Sequence, residues 1–189
     1  MSALNMHECP QCPRSVQLDA TNGQRVLAHI GAHVLYDPSI QRALEPCGLC
    51  LRPASVCTIY LTKRTGRNSQ WTLKYCGTVP CPNATHFSYT VAMISTASSP
   101  CSNVPLLCPY CADGSPAVWR YNMRAHLQQR HPGVHPDKHQ DLWELTQQEK
   151  MAMREVWKHR SKQPKRRGKG KQSHPLKLSN AHSSRRLSG

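Results

Sequence analysis

The chain has 189 residues, with ten Cys, fifteen Pro and a single Phe. That is thin material for one large core, so small modules held by cross-links or bound metal are expected. The formal net charge is +15, but residues 158–189 hold eleven Lys/Arg and no acid, leaving fourteen basic and ten acidic residues elsewhere. The polyanion-seeking character therefore lies in the tail. No apolar run approaches the ~18 residues of a membrane span. The opening "MSALNMHECP" lacks the basic-then-apolar order of a secretory signal. Membrane and secreted classes are set aside, and C-x-x-C pairs are expected to hold metal rather than form disulfides.

In residues 1–36, Cys9 and Cys12 are followed by His29 and His33. The i, i+4 spacing puts both imidazoles on one helical face, and two thiolates with two imidazoles make a tetrahedral zinc set. Thr21 and Gln24 have the spacing of a helix cap, while Asn22-Gly23 also makes a turn.

Residues 37–107 carry six cysteines among runs of β-forming residues. "VCTIYLT" and "QWTLKY" alternate at period two around the turn-rich "KRTGRNS", which predicts a hairpin, and "FSYTVAM" reads as a further strand. The knuckle Cys47–Cys50 needs two more ligands. Cys57 and Cys76 are one choice; Cys81 and Cys101 are the other. A register that unites the apolar faces Ile59/Leu61 and Trp71/Leu73/Tyr75 sends Cys57 and Cys76 to opposite sides of the sheet. The preferred quartet is therefore Cys47, Cys50, Cys81 and Cys101, with Cys57 a core thiol and His86 a surface residue. Asn83-Ala84-Thr85 spells a glycosylation sequon but reads as a turn.

Residues 108–134 repeat the plan of the first segment: Cys108, Cys111, then His126 and His131. In 135–160, "DLWEL" suggests a short helix. "TQQEKMAMREVWKHR" begins with a Thr146-x-x-Glu149 capping pattern and carries an apolar face of Met153, Val156 and Trp157, expected to pack onto the preceding modules. Residues 161–189, rich in Lys, Arg, Ser, Gly and Pro, form an expected disordered basic tail.

The first and third segments resemble two-Cys, two-His zinc fingers. The run "EPCGLCLRP…CPN…FSYTVA…SSPCSNVPLLCPYC…SPAVWRYNMRAHLQQRHP" also resembles a group of largely uncharacterised fungal Cys/His-rich, zinc-finger-like proteins. That likeness, over roughly residues 45–133, implies zinc and a shared module. By resemblance to DNA-reading fingers, the base-contacting positions are Asn22, Arg25 and Ala28 in the first helix and Trp119, Asn122 and Ala125 in the third. Asn and Arg suit bases, whereas Trp does not. Arg120, Arg124 and the tail's Lys165, Arg166 and Arg167 suit phosphate contact.

Enzyme readings find no support: the H-x-E with P-C-x-x-C pattern of zinc deaminases and the H-E-x-x-H of metalloproteases are missing. Four-ligand zinc sites leave no position for a reactive water. The expectation is a small α+β protein with three zinc ions: two atypical ββα-type fingers flanking a β-rich four-cysteine module, then a C-terminal helix. Its expected role is non-enzymatic nucleic-acid binding, with DNA favoured, in the nucleus, regulatory or derived from a mobile element. A protein-interaction adaptor with purely structural zinc is the alternative.

Overall fold

A computed structural model describes residues 6–63, 71–76 and 81–161, without the side chains of Lys63, Tyr75 and Cys76. Lys165, Arg166, Arg167 and the expected tail from residue 162 onward lie outside the described residues, as does most of the "KRTGRNS" connection. The fold is a small α+β arrangement of short sheets, with a C-terminal helix and three Cys/His clusters.

The first segment is a ββα unit. β1 (Met6–Glu8) pairs antiparallel with β2 (Gln17–Asp19), and α1 (Gly23–Tyr36) follows. The N-cap of α1 is Asn22, whose side chain accepts from the Arg25 N–H at 3.2 Å. Thr21 instead donates its hydroxyl to Asp19 Oδ1. Thr21 stands one residue ahead of the flanking position from which a side chain reaches the third N–H of the helix, and Asn22 occupies that position. A Cβ on Gly23 would lie 2.2 Å from the His86 carbonyl oxygen, so only glycine lets the middle segment approach the start of α1 this closely.

β3 (Thr58–Lys63) and β4 (Trp71–Cys76) form the expected hairpin, with Ile59 opposite Tyr75 and Leu61 opposite Leu73. "FSYTVAM" is not a strand: Tyr89–Ala92 make a short helix, α2. Tyr89 and Ala92, three apart, are buried while Val91 and Met93 are exposed. That is helical spacing, which a seven-residue alternation conceals. The Tyr89 hydroxyl donates to the Pro105 carbonyl at 2.7 Å, fixing the turn against the next strand.

The third module is again ββα, but its first strand lies just ahead of residue 108: β5 (Pro105–Leu106) pairs with β6 (Val118–Trp119), and a 3-10 turn at Arg120–Asn122 leads into α3 (Met123–Arg130). α4 (Gln140–Trp143) and α5 (Gln147–His159) complete the fold. Thr146 caps α5 by accepting from the Glu149 N–H at 3.1 Å. The Glu149 side chain does not complete a capping box. It is buried, and its Oε1 accepts from the Ser102 N–H (2.8 Å), the Ser102 hydroxyl (2.6 Å) and the Tyr121 hydroxyl (2.6 Å).

One apolar core runs through Val26, Leu27 and Ile30 of α1, Leu49, Ile59, Val104, Trp119 and Met153 of α5. Val156 and Trp157 pack against its edge, as the apolar stripe of α5 predicts. A second, smaller core under α3 joins Val118, Met123 and Leu127, with Leu142 and Trp143 of α4 packed on it.

Candidate metal centres

Each cluster brings four donor atoms within 4.8 Å of one another. In the first, the β1–β2 turn carries Cys9 and Cys12, and consecutive turns of α1 carry His29 and His33. Sulfur-to-Nε2 distances are 3.5 Å (Cys9–His33), 3.5 Å (Cys12–His29) and 3.4 Å (Cys12–His33). In the third, Cys108–His131 is 3.5 Å, and Cys111 lies 3.3 Å from both His126 and His131. Metal–sulfur bonds of ~2.3 Å and metal–nitrogen bonds of ~2.0 Å at tetrahedral angles give an S···N edge of about 3.5 Å. The donors stand at nearly the spacing such an ion imposes.

The middle centre departs from the expected quartet. Cys47, Cys50, Cys57 and Cys81 converge, all buried, with 4.0 Å between the sulfurs of Cys47 and Cys81. The fourth donor is Cys57 and not Cys101; the quartet draws one thiol from each of the two alternatives. The strand register is as anticipated, with Thr58 opposite Cys76, while the Cys76 side chain lies outside the described residues. That register does not exclude Cys57, which precedes Ile59 on the face turned to the core, where the knuckle also sits. The knuckle is closed by Cys47 N–H to Arg52 O (2.8 Å) and Leu51 N–H to Cys47 O (2.9 Å), with Leu51 in the left-handed region at φ 62°.

Cys101 lies beneath α1, fully buried, its thiol donating to Leu27 O at 3.3 Å and its sulfur 3.5 Å from the Tyr121 oxygen, whose proton goes to Glu149. Burial pushes this thiol up to about 12. His86 is exposed and joins no cluster. The sequon residue Asn83 is buried, donating its amide to Leu49 O at 2.9 Å, and so braces the knuckle.

The clusters are electrostatically suited to a cation. Burial raises the Cys9 thiol, but hydrogen bonds from His29 and His33 outweigh it and bring it down to about 5. Burial and the neighbouring Cys9 push Cys12 up to about 12. In the middle centre, hydrogen bonds from Cys47, Cys57 and Cys81 lower Cys50, while hydrogen bonds with Cys50, Cys57 and Cys81, together with burial, raise Cys47. Cys57 is lowered alongside Cys50, mainly by its hydrogen bond with Cys47, so each of these two centres holds some thiols down and others up; a dication between the sulfurs removes the penalty on the raised ones.

Two carboxylates that sequence reasoning overlooked complete the surroundings. Asp37 Oδ2 lies 2.8 Å from His33 Nδ1, and Glu45 Oε1 lies 3.0 Å from His126 Nδ1. With Nε2 turned to the thiols, each Nδ1–H donates to a carboxylate, which orients the ring for ligation. Asp37, four residues after His33, could have been found by spacing. Glu45 is 81 residues from His126 and left no local signal. Trp157 of α5 stands edge-on to His33 with ring centroids 5.2 Å apart, and the Arg160 guanidinium lies 3.5 Å over the Trp157 ring.

The residues expected to touch nucleic acid divide into two groups. On α1, Asn22 and Arg25 are exposed and Ala28 is half-buried. On the third module, Trp119 and Asn122 are buried, and the Asn122 amide donates to Pro46 O at 2.7 Å. Arg120 Nη2 donates to Glu144 O at 3.1 Å. The Arg124 guanidinium lies 4.7 Å over Trp143 and 3.8 Å from Asp137.

Among the described residues no helix is long and apolar enough to cross a membrane. No protein-family model, curated protein or solved structure matches the chain. The chain thus carries three four-donor clusters of zinc-finger type, each able to hold a metal ion.

Proposed function

We propose that the protein binds three zinc ions and uses the resulting scaffold to bind nucleic acid, with DNA the favoured partner, in the nucleus. Zinc is the ion of choice because thiolate and imidazole donors at tetrahedral spacing match its bond lengths and its indifference to geometry. Each site supplies four protein ligands, leaving no coordination position for a substrate or reactive water, in keeping with a non-enzymatic role. Zinc supplies cross-linking of the modules when bound; the chain's own residues supply the contact surface.

The observation that carries the nucleic-acid reading is the asymmetry of the two fingers. α1 presents Asn22 and Arg25 to solvent at its N-terminal end, where a finger helix meets base edges. The corresponding positions of the third module are spent on internal packing. We therefore assign contact to α1 and to the basic tail from Lys158 onward, with the third module as scaffold. Arg120 is tied to the Glu144 carbonyl, while Arg124, stacked on Trp143, keeps its side chain 53% exposed and offers a phosphate contact only.

A protein-interaction adaptor is the second reading, favoured by that same internal use of the third module's Trp119 and Asn122. A salt titration of duplex binding by the full chain, with and without residues 162–189, separates the two. Sequence-selective binding that survives loss of the tail and is abolished by Arg25→Ala supports the proposal. Loss of all binding with the tail alone, unaffected by Arg25→Ala, supports the adaptor. Native mass spectrometry should count three zinc ions per chain; none or one overturns the metal assignment.

A further inference from the structure

Glu45 occupies an unusual position. It lies two residues before the ligand Cys47, its backbone is left-handed at φ 49°, and its side chain reaches across to the third module. A left-handed non-glycine residue costs about 1–3 kcal/mol and persists where its surroundings over-determine it. Glu45 caps the C-terminus of a 3-10 turn at Arg42–Leu44, its N–H donating to Arg42 O at 3.0 Å, and two residues further on Cys47 N–H to Arg52 O closes the Cys47–Cys50 turn, so the cap and the knuckle are joined through Pro46 alone.

The third module is docked around the same point. The Asn122 amide bonds the Pro46 carbonyl, between Glu45 and Cys47. The Trp119 ring lies so close over Gly48, inside the knuckle, that a Cβ there would sit 2.4 Å from a ring carbon. The Ala117 N–H donates to Ile59 O at 2.8 Å, two residues after the ligand Cys57. Around these contacts the Glu45 carboxylate, 13% exposed, holds Nδ1 of the ligand His126. Arg130, whose side chain is 71% exposed, approaches the same carboxylate oxygen at 3.9 Å and adds little. The first centre is built differently: its carboxylate, Asp37, sits one turn from His33 beside the same helix.

We infer that Glu45 is a positioning residue that couples the second metal centre to the third, so that metal at either favours loading of the other through a contact the first centre does not share. The inference rests on the metal reading of the clusters. A metal in the middle centre fixes the knuckle, the knuckle fixes Glu45, and Glu45 fixes the His126 ring for ligation. By linkage, metal at the third centre must stabilise the second by the same factor.

The test is a chelator titration of the zinc-loaded full chain under reducing conditions. Thiol alkylation is read by mass spectrometry separately for Cys9/Cys12, for the middle quartet and for Cys108/Cys111. Glu45→Ala should expose Cys108/Cys111 at about 10-fold lower chelator concentration, the lower end of the effect of losing a carboxylate behind a metal-bound histidine. Cys9/Cys12 should be unaffected, and Glu45→Gln, which keeps an acceptor oxygen, should recover most of the protection. Cys57→Ala, which opens the middle centre, should also weaken protection of Cys108/Cys111, and much less so in a Glu45→Ala background. Unchanged protection in Glu45→Ala overturns the coupling, as does an equal effect of Cys57→Ala in both backgrounds. Simultaneous exposure of all three thiol groups in Glu45→Ala overturns it too, because the centres then unfold as one unit. Absence of zinc from the wild-type chain is a distinct outcome: it removes the metal reading and the coupling with it.

Discussion

Exchanging the fates of Cys57 and Cys101 tests the middle centre directly. Both thiols are buried, so burial alone does not distinguish a ligand from a core residue. Cys57→Ala removes one of four converging donors. A structural zinc site contributes about 10–16 kcal/mol in total, so an even share per ligand is about 3 kcal/mol, which corresponds to ~100-fold in affinity. Cys101→Ala removes a sulfur that donates to Leu27 O and packs against the Tyr121 oxygen, at a cost of about 1–2 kcal/mol of folding stability and no metal. Native mass spectrometry against a graded chelator reads both quantities. Cys57→Ala should fall to two zinc ions at a chelator strength that leaves the wild type with three, while Cys101→Ala should keep three and melt earlier. Three tightly held ions in Cys57→Ala, or two in Cys101→Ala, would refute the assignment and restore the quartet that the loop positions of Cys81 and Cys101 first favour.

Three further outcomes follow from the packing. Glu149→Ala strands the Ser102 and Tyr121 donors inside the core and should cost about 3–5 kcal/mol in urea unfolding of the zinc-loaded chain, with Glu149→Gln milder because it retains an acceptor. The Cys101 thiol is held up at about 12, so the unfolded chain, whose thiol ionises near ~8.5, releases that proton first as pH rises. Its share of stability is therefore full below about pH 8.5 and lost progressively toward pH 12 at about 1.4 kcal/mol per pH unit, so the urea midpoints of wild type and Cys101→Ala should converge above pH ~8.5 and cross before pH ~12. Trp157→Ala uncovers His33, so Cys12 should be alkylated several-fold faster while Cys108 and Cys111 keep their wild-type rate.

Much of this protein is written locally. The two Cys-x-x-Cys turns followed by paired histidines determine the first and third clusters, because ligand spacing and helical pitch are short-range properties and the donors need only one hairpin and one helix to meet. The β3–β4 register is equally legible, since a slip of one residue would turn Ile59 and Leu61 away from the core. The middle centre was decided by tertiary structure. Cys47 and Cys81 are 34 residues apart, and nothing in the spacing says whether the loop at 81 meets the hairpin's Cys57 or the loop at 101. Tertiary packing also settled the third finger's character: Trp119 and Asn122 stand at reading positions in the sequence, yet the knuckle and the C-terminal segment take up those side chains and the neighbouring Arg120. Glu45 shows the same limit most sharply, because a carboxylate that orients a histidine 81 residues away is fixed only by how two modules dock.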